Sequence, residues 1–150
     1  MKINHITTLR TEVMEYMKLL TVTVPCYNSE SYMEKCVDSL LKGGDRVEII
    51  IIDDGSKDST GAIADRYAEQ YPDIVRAIHQ PNGGHGEGVN QGIRNARGIY
   101  YKVVDSDDWV DVEALKKVLD KLRQFVRDEK LVDMISPTTS TSTWRTTPSG

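Results

Sequence analysis

The sequence feature that most constrains the fold is a run of four consecutive isoleucines, Ile49–Ile52. A strand with one face in water alternates apolar and polar residues, so this unbroken run indicates a strand buried on both faces, as in parallel sheets covered by helices. Apolar, β-branched runs recur along the chain, at 19–24, 47–52, 74–79, 99–104 and 131–135. Their alternation with amphipathic stretches predicts an α/β fold with an open, mostly parallel sheet of about five strands and helices on both faces.

The stretches between these runs carry helical patterns. One apolar stripe has the spacing of a helix face and follows a Ser31-x-x-Glu34 capping-box pattern; its members are Met33, Cys36, Val37, Leu40 and Leu41. A later stripe, from Val112 to Val126, follows a predicted N-cap at Asp111. Cys36 lies on the first stripe, which indicates a small core residue. With Cys26 it makes only two cysteines, and we expect both to be reduced thiols of a cytoplasmic protein.

Length and charge restrict the remaining possibilities. A chain of 150 residues is about one domain, and a net charge of −4 gives no electrostatic reason to expect nucleic acid as a partner. No apolar run is long enough to form a transmembrane segment, and no signal peptide is visible. We predict an N-terminal extension at 1–16, a folded domain at 17–136 and a disordered Thr/Ser-rich tail at 137–150. One hypothesis is that translation naturally begins at Met17.

Polar motifs follow four of the predicted strands. They occupy residues 25–30, 53–58, 82–90 and 105–109. Because the carboxyl ends of parallel strands meet at one edge of a sheet, where ligands of open α/β folds bind, we expect these four segments to form one site.

The acidic motif after the fourth strand is typical of a metal site. Asp105 and Asp107, with Asp108 beside them, repel one another unless a cation lies among them. Carboxylate oxygens suit Mg²⁺ or Mn²⁺, and Mg²⁺ is often held by one or two carboxylates together with substrate phosphates. The alternative is a solvated acidic turn that precedes the next helix.

The other three motifs have the chemistry of a nucleotide site. Asp53 leaves a buried strand and can accept hydrogen bonds from a base or ribose, while Tyr27 can stack on a base or simply pack against the protein. The glycines of 83–88 permit close approach of backbone to a ligand, and the helix that follows can face a diphosphate. His85 either contacts phosphate or is merely exposed.

Taken together, these motifs resemble those of family 2 glycosyltransferases, which have the Rossmann-like GT-A fold. The resemblance covers about residues 18–136, in the right order and spacing. It is carried by Val22-Thr-Val-Pro-Cys-Tyr-Asn-Ser-Glu30, Ile52-Asp-Asp-Gly-Ser-Lys-Asp-Ser-Thr60, Asn82-Gly-Gly-His-Gly86, Asn90-Gln-Gly-Ile93 and Val104-Asp-Ser-Asp-Asp-Trp109.

The resemblance implies an inverting transferase that uses a nucleoside diphosphate sugar, most often a UDP-sugar, with Mg²⁺ or Mn²⁺. By that analogy Asp53 contacts the base, Asp54 supports its loop, and Asp105 and Asp107 bind the metal, with Asp105 also near the ribose. The donor site then comprises Pro25, Tyr27, Glu30, Asp53, Asp54, Gly86, Asn90 and Asp105. The implied acceptor is a glycan or a lipid-linked molecule, which leaves peripheral membrane association open.

Two departures from the family pattern limit what the resemblance implies. Val89 stands where many members have an arginine, so a direct cationic contact to the diphosphate is not expected at that position. The carboxylate that deprotonates the acceptor comes from a later segment in the family. We find no candidate for it here and expect this catalytic base beyond residue 150.

Three alternatives were weighed. A dinucleotide-binding dehydrogenase requires glycine or alanine at Val89. A phosphatase with an Asp-x-Asp nucleophile requires a downstream lysine and further acids. The third alternative, a non-catalytic fragment that binds nucleotide or nothing, shares every motif with the enzyme, so the sequence leaves it open.

Overall fold

The computed structural model describes residues 17–128, in which four strands alternate with four helices. In chain order these are β1 (Leu20–Cys26), α1 (Met33–Leu41), β2 (Val47–Asp54), α2 (Thr60–Gln70), β3 (Val75–Gln80), α3 (His85–Asn95), β4 (Tyr100–Val103) and α4 (Val112–Arg127). Four of the five predicted strands are confirmed. The fifth, at 131–135, lies outside the described residues, as do the segments 1–16 and 137–150, so the described sheet has fewer strands than expected.

All strand pairs in this sheet are parallel, and the strand order is β3-β2-β1-β4. The chain moves from β1 outward to β2 and β3, and it then returns past them to place β4 on the other side of β1. The strand order therefore reverses at β1. A crevice forms at such a switch point, beyond the carboxyl ends of the strands, and it is the usual ligand site of open α/β sheets.

Helices cover both faces of the sheet, as the isoleucine run predicts. All four isoleucines of β2 are fully buried. Ile49 and Ile51 belong to the main core with residues of α1 and α4, whereas Ile52 and its face of the sheet lie against α3. The closest approach is at Gly92 of α3, where an added Cβ would lie 2.2 Å from the hydroxyl oxygen of Thr23. A glycine at this position lets helix and sheet come together.

The predicted helix starts have different outcomes. Asp111 caps α4 as expected, because its side chain accepts a hydrogen bond of 2.9 Å from the amide of Ala114. The capping-box prediction for Ser31 and Glu34 is wrong: α1 begins at Met33 without a side-chain cap. Instead, the carbonyl of Ser29 accepts the amide of Met33, because a turn at 30–32 leads directly into the helix. The side chain of Glu34 pairs with Arg66 of α2.

Candidate functional site

An open cleft of about 400 Å³ lies at the carboxyl ends of the strands, beside the switch point. This volume falls in the range of small-molecule sites. Its lining comes from all four polar motifs: Pro25, Cys26, Tyr27, Ser29, Tyr32, Asp54, Gly84, His85, Gly88, Asp105, Ser106 and Asp107. The expectation that these motifs meet at one place is therefore met by the geometry.

An acidic cluster stands at one side of this cleft. Beyond β4, the amide of Asp108 donates to the carbonyl of Asp105 at 3.0 Å, which closes a tight turn. One carboxylate oxygen from each of Asp105, Asp107 and Asp108 lies within 4.8 Å of the others. Asp105 and Asp107 are exposed to solvent. Three hard oxygen donors at this separation suit a divalent cation such as Mg²⁺ or Mn²⁺, which also removes their mutual repulsion.

Ser106, the residue between the two exposed aspartates, is turned inward. Its side chain is buried, and its Oγ lies 2.9 Å from Oγ of Ser29 on the loop after β1. This contact ties the acidic turn to β1 and leaves the flanking carboxylates on the outside. No sequence pattern identifies either serine as a site residue; the one available signal is a small polar residue between two acids.

The cleft also contains a buried thiol. Cys26 ends β1 and is almost fully buried, and this burial raises its pKa to about 12 despite a hydrogen bond to Ser106. Cys36 is fully buried in the core, as predicted, and burial also raises its pKa. Both cysteines are free. A thiol that stays protonated is a poor nucleophile, so neither cysteine has the character of a reactive group.

Asp54 organises the glycine-rich loop that precedes α3. One carboxylate oxygen accepts the amide of Gly83 at 2.7 Å and the side chain of Gln80 at 2.8 Å, and the other accepts the amide of Gly84 at 2.9 Å. Burial alone would raise the pKa of Asp54, but these hydrogen bonds outweigh it and hold the pKa below its ordinary value. Gly84 has a φ of 90°, a conformation that favours glycine. The Asp54 carboxylate thus stays charged and fixes the backbone of the loop.

The first turn of α3 faces the acidic cluster. Gly84 occupies the N-cap position and provides no side-chain cap, so the first amides of the helix have no such partner. His85, the first residue of α3, is exposed, and its Nε2 lies 3.9 Å from a carboxylate oxygen of Asp105. An anion in the cleft could therefore meet both the positive end of a helix and a cation held by the acidic cluster.

Asp53 and Glu30, both predicted members of the donor site, make hydrogen bonds within the protein. The carboxylate of Asp53 is buried, accepting the amide of Ser56 at 3.1 Å and lying 2.9 Å from Nδ1 of His79. Glu30 accepts the amide of Ser59 at 2.9 Å. Asn28 joins the same two loops, because its side-chain oxygen accepts the amide of Lys57 at 2.9 Å. These contacts clamp the loop after β1 to the loop after β2.

The structure thus brings some of the predicted site residues together and leaves others aside. Pro25, Tyr27, Asp54, Asp105 and Asp107 line the cleft, and the Tyr27 side chain is 47% exposed, as a stacking surface requires. The other predicted members of the donor site are not in the lining: Glu30, Asp53, Gly86 and Asn90. Tyr32, which is also exposed in the cleft, was missed because it lies one residue before a helix and carries no motif of its own.

A parallel sheet with this strand order and a cleft at its switch point defines a doubly wound α/β domain, a fold in which small ligands usually bind at that point. Within that class, the sequence model of glycosyl transferase family 2 matches residues 21–144. The chain belongs to this family.

Individual relatives and solved structures agree with the family. The chain is 41% identical over 107 residues to the uncharacterized glycosyltransferase EpsJ of Bacillus subtilis, a match that covers 71% of this chain and 31% of EpsJ. It is similar to S. aureus TarS 1-349 in complex with UDP-GlcNAc, with a TM-score of 0.61 and 29% identity over 73% of this chain and 31% of that one. The chain spans about a third of the length of these proteins.

A more distant structure shows the same fold. The mannosyltransferase PcManGT from Pyrobaculum calidifontis, solved with GDP-Man and Mn²⁺, has a TM-score of 0.61 at 20% identity, covering 80% of this chain and 39% of that one. Similarity at this identity supports the GT-A fold alone. No helix in the described part of the chain is long and apolar enough to cross a membrane.

Proposed function

We propose that this chain binds the donor of an inverting glycosyltransferase, a nucleoside diphosphate sugar held through Mg²⁺ or Mn²⁺. The observation that carries the proposal is the cluster of Asp105, Asp107 and Asp108 beside the uncapped first turn of α3. A diphosphate has the charge and size to lie between a cation and a helix N-terminus. The family membership of the chain supports the same assignment.

In this proposal Asp105 and Asp107 hold the metal, which stabilises the charge that develops on the leaving nucleoside diphosphate. Asp54 keeps the glycine-rich loop in place, so that the first amides of α3, including that of Gly86, face the phosphates. Asn90, one turn further along α3, is proposed as a secondary contact.

The nucleoside lies on the other side of the cleft in this proposal. Pro25 and the exposed ring of Tyr27 form its wall, and Tyr27 stacks on the base. Asp53 keeps unused acceptor capacity for the base, because a carboxylate offers about four lone-pair sites and only two contacts to its oxygens are seen here. Glu30 acts indirectly by clamping the two loops together.

A UDP-sugar is the proposed donor, and two features support it. The motifs resemble those of family members that use UDP-sugars, and TarS, with 29% identity, was solved with UDP-GlcNAc. A glycan or a lipid carrier is the proposed acceptor. The cytoplasmic location and the peripheral membrane association stay predictions.

Calorimetric titration with UDP, GDP and ADP, with and without MgCl₂ or MnCl₂, tests the donor site. We expect binding of UDP that depends on the metal and is lost in Asp105→Asn. Asp45→Asn is the matched control, because this exposed aspartate precedes β2 at the opposite edge of the sheet. Metal-independent binding, or an Asp105→Asn variant that binds like the wild type, would contradict the proposal. Turnover of a UDP-sugar separates a transferase from a domain that only binds nucleotide.

A further inference from the structure

His79, near the end of β3, bridges two carboxylates and lies outside the four polar motifs and the proposed donor contacts. Its Nδ1 lies 2.9 Å from Oδ2 of Asp53, and its Nε2 lies 2.7 Å from Oδ1 of Asp65 on α2. The ring is partly exposed, with 46% of the side chain accessible, while Asp53 is almost completely covered. The side-chain position of the buried Asp53 therefore depends more on His79 than that of the exposed Asp65 does.

The two contacts together favour a protonated ring. An ionised carboxylate only accepts hydrogen bonds, and a neutral imidazole has one N–H, whereas the imidazolium has two. Between two carboxylates, the neutral ring would turn a lone pair toward one of the oxygens. Among the described residues, Asp53 of β2 and Asp65 of α2 are the charged groups that act on His79, and both favour the imidazolium.

A chain of hydrogen bonds leads from this ring to the cleft. The other oxygen of Asp53 accepts the amide of Ser56, whose Oγ accepts the amide of Asn28 at 3.0 Å. Asn28 directly follows Tyr27 and has a φ of 47°, a left-handed conformation that asparagine adopts more readily than most residues. The position of the Tyr27 loop thus depends on a carboxylate that His79 holds.

We propose that His79 is a positioning residue of the nucleotide site, which in its protonated form holds the carboxylate of Asp53 and the loop that follows it. This inference rests on the proposed function, because it assigns His79 to the binding of the nucleoside part of the donor. His79 contacts neither the cleft nor the acidic cluster, so its effect on binding is transmitted through Asp53.

The pH dependence of nucleotide binding follows from the direction in which the pKa of His79 is shifted. Hydrogen bonds to Asp53 and then to Asp65 raise the pKa of His79 above its ordinary value of 6.5. A raised pKa means that the contribution of the imidazolium is complete below the ordinary value and is lost as the pH rises through the raised one. Nucleotide affinity should therefore weaken as the pH rises through the raised pKa of His79, and this loss should disappear when His79 is replaced.

The test measures the dissociation constant of UDP with MgCl₂ from pH 5.5 to 9 for the wild type and His79→Asn. Asparagine keeps an amide donor near the position of Nδ1 but does not titrate. Comparing the two proteins at each pH cancels the titration of UDP and of the metal cluster. At low pH we expect the wild type to bind about threefold to tenfold more tightly, the effect of one charge-assisted hydrogen bond. At high pH the two constants should converge.

Asp65→Asn provides a second variant that leaves β3 and Asp53 intact. Removal of this charge should shift the midpoint of the wild-type pH profile to lower pH, and the His79 ring signals in an NMR titration should shift with it. Asp73→Asn is the matched control, since it removes the same charge at the other end of β3 and should leave the midpoint unchanged. His79→Leu should bind UDP weakly at all pH values. Tighter UDP binding by His79→Asn would show that the hydrogen bond donated to Asp53 is what matters.

The outcomes separate this inference from the proposed function. If the wild type binds UDP with metal but the ratio of its dissociation constant to that of His79→Asn is constant with pH, the role of His79 is overturned and the donor site stands. An unchanged midpoint in Asp65→Asn overturns it as well. If the wild type binds no nucleotide at any pH, both proposals fail together.

Discussion

The acidic cluster predicts that one substitution, Asp107→Asn, stabilises the protein without ligands but makes it less stable than the wild type when metal and nucleotide are bound. Asp107→Asn removes one of three carboxylates whose oxygens lie within 4.8 Å of one another, and it preserves the shape of the side chain. Without a cation, like charges at this distance repel. The variant should therefore be more stable than the wild type when no metal is present, although it has lost a proposed metal ligand.

The size of this stabilisation can be estimated from the separation. Two unit charges 4.8 Å apart in water repel by about 0.9 kcal/mol, and salt at physiological strength roughly halves that value. Asp107 has two such neighbours, which gives about 1 kcal/mol in total. Because Asp105 and Asp108 are also its neighbours in the unfolded chain, part of this repulsion cancels, and we expect a net gain of about 0.5–1 kcal/mol. The corresponding rise in Tm is about 2–5 °C at most.

Metal and nucleotide together should make the wild type more stable than Asp107→Asn. A ligand at 100 times its dissociation constant stabilises a folded protein by about 2.7 kcal/mol, which exceeds the gain from relieved repulsion. The wild type should gain this stability with UDP and MgCl₂, and Asp107→Asn should gain little of it. The wild type should therefore unfold at the higher temperature when both ligands are present.

Thermal unfolding followed by circular dichroism measures both halves of this prediction in EDTA and in UDP with MgCl₂. Asp120→Asn serves as control, because Asp120 is exposed on α4, outside the cluster. Its melting temperature should respond to the ligands as the wild type does. The reasoning is refuted if Asp107→Asn melts below the wild type in EDTA, or if it gains as much as the wild type from the ligands.

Three further predictions test the packing and the cleft. Gly92→Ala should cost about 1–3 kcal/mol in urea unfolding, because its Cβ would lie 2.2 Å from a threonine hydroxyl of β1. Gly86→Ala, with open space at its Cβ, should instead stabilise α3 by about 0.5–1 kcal/mol, and an equal loss in both variants would refute the argument from close packing. Asp54→Asn should lower stability by about 2 kcal/mol at pH 7, since an amide cannot accept all three hydrogen bonds as a carboxylate does. This difference should shrink as the pH falls through the lowered pKa of Asp54, and a difference that is constant with pH would contradict its cause. Tyr27→Ala should weaken UDP binding about tenfold, as loss of a stacked ring does. Tyr71→Ala, at another exposed tyrosine at the end of α2, should leave UDP binding unchanged.

The residues of the cleft show how far the sequence leads toward the site. Asp105 and Asp107 could be identified because two acids at a strand end are costly without a cation, and the structure does place them together. Asp54 was expected to support the loop after β2, but its three hydrogen bonds go to Gln80 and to the glycine-rich loop before α3. The assignment of Asp53 to the base, by contrast, depends on where its carboxylate points. That direction is decided by His79, which comes from a different strand.

The helix starts also show that sequence patterns predict local contacts better than contacts to residues distant in sequence. The cap at Asp111 was predictable because the side chain and the amide that it accepts are three residues apart. The capping-box pattern at Ser31 failed because the turn at 30–32 ends with a backbone contact to Ser29, and Glu34 is drawn to Arg66 of α2. A local pattern holds only where no partner distant in sequence competes for the same side chain.

By itself, the sequence determined the class of the fold and the edge of the sheet at which a ligand binds. An unbroken run such as Ile49–Ile52 requires cover on both faces, and parallel strands put all their carboxyl ends at one edge. The tertiary structure decided which polar residues at that edge face the cleft and which hold the loops in place. The direction of a short side chain such as that of Asp53 or Ser106 is fixed by hydrogen bonds to residues 26 and 77 positions away, and no local pattern in the sequence contains them.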